Sequence, residues 1–176
     1  MKKNSLLVLL VLLVVVLAGC QCKSGNANGT TLGSFATNKP GPFFVVETVK
    51  ASKGNNDTVL RVFLKNNPGF LTMDVCIAYD SMDMSLTKVI NGVDYPEYNF
   101  VGPKNMQSNC SASWFIPEMP ENIVDGNILE LHFSIQEQAE NGAHPVSISC
   151  SEGGGIVNQN KEVIVVNSAT GYIEIN

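Results

Sequence analysis

Apolar residues along this chain recur in short, nearly alternating runs, and no window holds a 3.6-residue apolar period over a helical length. The runs are rich in Val, Ile, Phe, Thr and Tyr, and clusters of Gly, Asn, Asp and Pro separate them. The pattern predicts strands at 43–49, 58–66, 70–79, 84–90, 98–101, 110–116, 127–136, 145–151, 161–167 and 171–175. Short strands at this spacing imply an all-β fold, a nine- to ten-stranded β-sandwich with jelly-roll-like topology. Strand 70–79 shows how alternation assigns faces. Met73, Val75, Ile77 and Tyr79 form an apolar set that belongs in the core, which turns Thr72, Asp74, Cys76 and Ala78 outward. Pro68-Gly69 ahead of it supplies a fixed φ and a permissive residue for the turn into the strand. The closing segment "TGYIEIN" reads as a final strand tucked into a sheet.

The N-terminus departs from this texture. Lys2 and Lys3 precede an unbroken apolar run from Leu6 to Leu17, and Ala18-Gly19-Cys20 follow. A basic start, a short apolar core and small residues make an export signal, too short for a comfortable membrane span. Leu17-Ala18-Gly19-Cys20 resembles the lipobox of bacterial lipoproteins, which implies lipidation at Cys20 and cleavage before it. More than one acyl chain holds a protein stably at a membrane surface. Residues 21–41, rich in Gly, Asn, Ser and Thr, read as a flexible tether. The expected organisation is therefore a signal at 1–20, a tether at 21–41 and one domain at 42–176, lipid-anchored outside the cytoplasm to the bacterial cell envelope. Without Lys2 and Lys3, the 16 acidic residues face nine basic ones, a net charge of about −7. That balance argues against nucleic acid or anionic lipid as a partner.

Four cysteines follow Cys20, namely Cys22, Cys76, Cys110 and Cys150, with no CxxC spacing of a zinc or redox site. Outside the cytoplasm disulfides are permitted, and spacing does not choose among the pairings. Parity turns Cys76 outward and Cys110 and Cys150 inward. On strands separated by a third, two inward cysteines lie about 9–10 Å apart, beyond disulfide reach, so either a bulge changes the parity or these are buried free thiols, the reading favoured here. His132 and His144 have no carboxylate or cysteine at useful sequence spacing, and His132 reads as a surface-strand residue. Asp80/Asp83 and Asp94/Glu97 read as solvated turn residues, since no Ca²⁺-loop pattern surrounds them. No catalytic cluster, cofactor or metal site is predicted, and "EGGGIVNQN" lacks the Lys-Ser/Thr of a phosphate loop. Trp114 falls in the apolar set of its strand with Cys110, Ala112 and Ile116, leaving Phe115 outward. "NGVDYPEYNF" is a second aromatic cluster, a candidate platform for polysaccharide.

Taken in order, "VLRVFLKNNPGF", "LTMDVCIAYD", "MSLTKVINGV", "IVDGNILELHFSIQEQAENGAHPVSIS", "SEGGGIVNQNKEV" and "TGYIEI" resemble the cohesin family, over about residues 43 to 175. Cohesins are sandwich modules of cellulosome scaffolds that bind dockerin modules. The resemblance implies a non-enzymatic docking module whose partner is a dockerin-type module, with Ca²⁺ belonging to the partner. Aligning Tyr79-Asp80 on the family's Tyr-Asp places Asp74 on its dockerin-contacting aspartate, and Thr72 where many members have Asn. Cys76, Ala78 and Phe115 share that face, and Glu152 falls at its rim. The alternative on the same fold is a carbohydrate-binding or adhesive surface module.

Overall fold

The computed structural model describes residues 41–151 and 155–176, so the signal, the tether and Glu152 lie outside the described residues. The described residues form twelve strands and no helix, packed as two sheets face to face. The smaller sheet has the order β1-β3-β8-β5, made by Phe43–Val46, Thr58–Lys65, Gly126–Ile135 and Met84–Asn91. Each of its neighbouring pairs is antiparallel. In β3, Thr58, Leu60, Val62 and Leu64 point inward while Arg61 is exposed, the alternation of a half-buried strand. Strand β8 breaks that alternation once. The register opposite β3 slips between Val62 and Phe63, and the extra residue, Ile128, lets Ile128 and Leu129 both be buried.

The larger sheet is built on β4, Thr72–Tyr79. On one edge β4 pairs with β7, Cys110–Phe115, which in turn carries β6, Asn99–Val101. The other edge of β4 is shared. β10, Ile156–Val157, takes its start and β9, Gly142–Cys150, takes the rest. Beyond β9 lies β12, Ala169–Ile175, and then β2, Thr48–Ala51, while β11, Val163–Ile164, flanks β10. The expected all-β sandwich is what forms, and β12 is the expected closing strand. Two strands were not separated by pattern. Residues 43–49 split at Glu47, where the chain leaves the smaller sheet and β2 joins the larger one parallel to β12. Two-residue β10 is too short to show any alternation.

The crossover at Glu47 has a local cause. A Cβ on Gly171 would stand 2.1 Å from the Glu47 carbonyl oxygen, so only glycine lets the crossing backbone lie against β12. The turn ahead of β4 likewise uses Gly69 at φ +80°. Between the sheets, Leu60, Val62, Leu131 and Phe133 of the smaller sheet face Met73, Val75, Ile77 and Trp114 of the larger. Trp114 is in the core, as parity predicted, and its Nε1 donates to Asn91 Oδ1 at 2.7 Å.

The aromatic cluster "NGVDYPEYNF" is placed differently from a sugar platform. Tyr95 and Tyr98 are buried and pack on Phe70 with ring centroids 6.1 and 4.4 Å away. Their hydroxyls donate inward, Tyr95 to the Val124 carbonyl and Tyr98 to the Phe70 carbonyl, each at 3.0 Å. Burial pushes the Tyr98 hydroxyl up to about 12 and raises that of Tyr95 further. The expectation of an exposed sugar-binding platform in this segment is thereby corrected. These rings pin the loop between β5 and β6 onto the core.

Candidate docking face

The outward side of the larger sheet can be read rung by rung from its register. The first rung runs Asn99, Phe115, Thr72, Val157, Val163 across β6, β7, β4, β10 and β11. The second holds Val101, Ser113 and Asp74. Ser111, Cys76 and Ser149 form the third, and Ala78, Ser147 and Thr170 the fourth. Strands lie about 4.8 Å apart and same-face residues about 6.7 Å apart, so the four rungs cover roughly 20 Å in each direction. The face is continuous, because every strand in it belongs to one sheet.

Its chemistry is graded. The first rung is apolar on either side of Thr72, with Phe115 46% and Val163 56% exposed, and Val101 behind Phe115 adds a third exposed apolar side chain. The centre is a hydroxyl floor of Ser111, Ser113, Ser147, Ser149 and Thr170, in which Ser147 Oγ and Thr170 Oγ1 stand 2.8 Å apart. Asp74 is exposed in the second rung between Phe115 and this floor, and the outer face gathers no cation beside it among the described residues. An unpaired carboxylate set among hydroxyls and flanked by apolar side chains suits a partner that offers hydrogen-bond donors and an apolar ridge.

Of the residues expected here, Thr72 and Asp74 are exposed, Phe115 is exposed at the apolar flank, and Ala78 is half-buried in the fourth rung. Cys76 keeps its outward register between Ser111 and Ser149 but is 6% exposed and disulfide-bonded. Cys110 and Cys150 are free thiols on opposite sides of β4, and burial pushes both up to about 11. Parity had already turned Ser111 and Ser113 outward with Phe115, whereas Val101, Val157, Val163, Ser147 and Ser149 were not singled out from sequence. Their strands are two to nine residues long, and only the pairing register brings them to one face.

Both histidines have carboxylate partners that sequence spacing hid. His132 Nδ1 lies 2.6 Å from Asp57 Oδ1 on the outer side of the smaller sheet. His144 is buried at the end of the sandwich, with Asp80 and Asp83 beside it. The reading of Asp80 and Asp83 as merely solvated turn residues is corrected by that grouping.

No protein-family model matches the sequence, and no curated protein matches it. Solved structures do. A type I cohesin in complex with a dockerin from Clostridium thermocellum superposes with a TM-score of 0.64 at 20% identity, covering 78% of this chain and 100% of that one. A non-cellulosomal cohesin from the hyperthermophilic archaeon Archaeoglobus fulgidus gives 0.62 at 12% identity, over 78% of this chain and 92% of its own. A cohesin from Clostridium acetobutylicum, solved in solution, gives 0.62 at 19%, over 77% and 91%. Likeness at these identities speaks to architecture. The two-sheet sandwich formed by the described residues is the cohesin fold.

Proposed function

We propose that this protein is a docking module that binds dockerin-type modules through the outer face of the larger sheet. The observation that carries the proposal is the graded face itself. A continuous sheet surface with an unpaired Asp74, a hydroxyl floor and an apolar flank lies on a fold whose solved relatives include cohesins in complex with dockerins. Thr72, Asp74, Ala78 and Phe115 belong to that face, and the cohesin resemblance alone assigns Glu152, outside the described residues, to its rim. Cys76 is disulfide-bonded and nearly buried at the centre of β4, so it offers the partner little surface. The function is binding, not catalysis, and any Ca²⁺ in the complex belongs to the partner. The lipobox-like run ending at Cys20 supports attachment to the envelope by a lipid, so that the module displays its face outside the cytoplasm.

The test is a pull-down of the full chain in detergent against type I dockerin modules and against insoluble polysaccharide. Retention on dockerin, lowered at least tenfold by Asp74→Ala, is the expected result. Retention on polysaccharide alone, or docking unchanged by Asp74→Ala, would overturn the assignment of this face.

A further inference from the structure

At the end of the sandwich away from the apolar rung, three side chains from distant parts of the sequence converge. Asp80 and Asp83 lie in the turn between β4 and β5, and His144 lies near the start of β9. Their candidate ligand atoms all stand within 4.8 Å of one another. His144 Nδ1 is 3.3 Å from Asp80 Oδ2 and 3.4 Å from Asp83 Oδ2. The histidine is 7% exposed, so bulk water does not account for what faces its ring.

Hydrogen bonding settles which nitrogen points where. His144 Nε2 lies 3.0 Å from the Glu140 carbonyl oxygen. A carbonyl only accepts, so Nε2 carries a hydrogen. In the neutral ring Nδ1 then presents a lone pair, aimed at two carboxylate oxygens. Three electron-rich atoms facing one another repel unless a positive group lies between them. The carboxylates are held to that arrangement by backbone. Met82 N–H donates to Asp80 Oδ1 at 3.0 Å, and Glu140 N–H donates to Asp83 Oδ1 at 3.1 Å. Each carboxylate therefore spends one oxygen on the backbone and turns the other to His144. Glu140 orients two of the three groups at once, through its carbonyl and its N–H.

Two positive occupants fit in principle, a proton on Nδ1 or a metal ion. The two nitrogen–oxygen distances favour the ion. A charge-assisted N–H···O bond is about 2.7–2.9 Å, shorter than either contact. In a tetrahedral site with bonds of about 2.0–2.1 Å, ligand atoms stand about 3.3–3.4 Å apart along each edge. An imidazole donating its other N–H to a backbone carbonyl is the usual second shell of a metal-bound histidine. One neutral imidazole and two carboxylates balance a divalent charge. The nitrogen ligand and small ligand number favour a transition metal over Ca²⁺, which takes six to eight oxygens. We infer that Asp80, Asp83 and His144 bind a divalent transition metal ion of the Zn²⁺ class, with a fourth position open to solvent beside the partly exposed Asp80. The bound ion clips the β4–β5 turn to β9 and fixes the end of two strands of the docking face.

The experiment treats the full chain with chelator, removes the chelator, and titrates Zn²⁺ by calorimetry and Co²⁺ by visible absorption. One site is expected, with the strong d–d bands of tetrahedral Co²⁺ and a rise in the thermal midpoint on adding Zn²⁺. Asp80→Asn, at the more exposed carboxylate, folds as the parent does and is expected to weaken this site at least tenfold. His144→Gln is expected to abolish it. A ¹⁵N spectrum in which Nδ1 keeps its proton after metal is added would establish the proton as occupant and overturn the inference. Absence of saturable binding would do the same, as would binding untouched by Asp80→Asn, which would place the ion elsewhere, as on the N-terminal cysteines.

Discussion

Phe115 offers the sharpest measure of the proposed face, because its contribution can be worked out before any partner is in hand. The side chain stands on the outer side of β7, 46% exposed, while Trp114 beside it fills the core. An aromatic side chain can bury about 200 Å², so roughly 90 Å² of Phe115 remains for a partner to cover. At about 25 cal/mol per Å², covering it contributes on the order of 2 kcal/mol, or about thirtyfold in Kd. Phe115→Ala removes that contribution and also the half of the ring already covered by its neighbours, roughly 110 Å². At the same coefficient that loss costs the fold on the order of 2–3 kcal/mol, so the thermal midpoint should fall by several degrees. The assay pairs calorimetric titration of a dockerin module that the parent binds with a thermal melt of the same samples, run where the variant is still folded. A Kd raised about thirtyfold in the folded variant is the expected outcome. If Kd changes less than threefold there, the apolar flank is not under the partner, and the reasoning from exposed area fails.

Two further expectations test the structure independently of any partner. Tyr98→Phe keeps the ring against Phe70 but removes the hydroxyl donated to the Phe70 carbonyl. Leaving that buried acceptor without its donor costs about 1–3 kcal/mol, so the thermal midpoint should fall by several degrees, and an unchanged midpoint would show the bond to be dispensable. Cys110 and Cys150, pushed by burial from an ordinary 9.0 to about 11, should react with iodoacetamide at pH 8 about a hundredfold slower in the folded chain than in denaturant. The sign follows from the raised values: the folded state keeps protons that the unfolded chain releases. Their contribution to stability is full below about 9 and is lost as pH rises through about 11. Labelling at equal rates in both states would refute the buried placement.

Alternation made most of the sandwich legible. Met73, Val75, Ile77 and Trp114 are buried as their parity requires, and Phe115, Thr72 and Asp74 face outward. A period of two carries that information wherever a strand is long enough to show it. β10 has two residues and shows none. The split at Glu47 was hidden because alternation does not report which sheet a strand joins. Tyr95 and Tyr98 sit in a loop, where no period says which way a ring turns, and their inward hydrogen bonds arise only from tertiary packing. His144 meets Asp80 across 64 residues of sequence, and His132 meets Asp57 across 75, distances at which no local motif forms. The proposed docking face falls between these cases: its central strand and Phe115 were readable, and the valines of its apolar flank depended on register.

The switch of sheets at Glu47 has a mechanical meaning. The first strand is hydrogen-bonded to β3, and its start is also joined to the chain leading into β12: Phe44 N–H donates to the Asn167 carbonyl at 3.1 Å, and Asn167 N–H donates to the Pro42 carbonyl at 3.0 Å. Past Glu47 the same stretch lies parallel to β12. A pull arriving from upstream of Pro42 therefore loads both halves of the sandwich together, along rows of backbone hydrogen bonds that must yield as a set. Tension entering along the chain from that side would meet a seam sewn through two layers, not a single strand that peels from an edge.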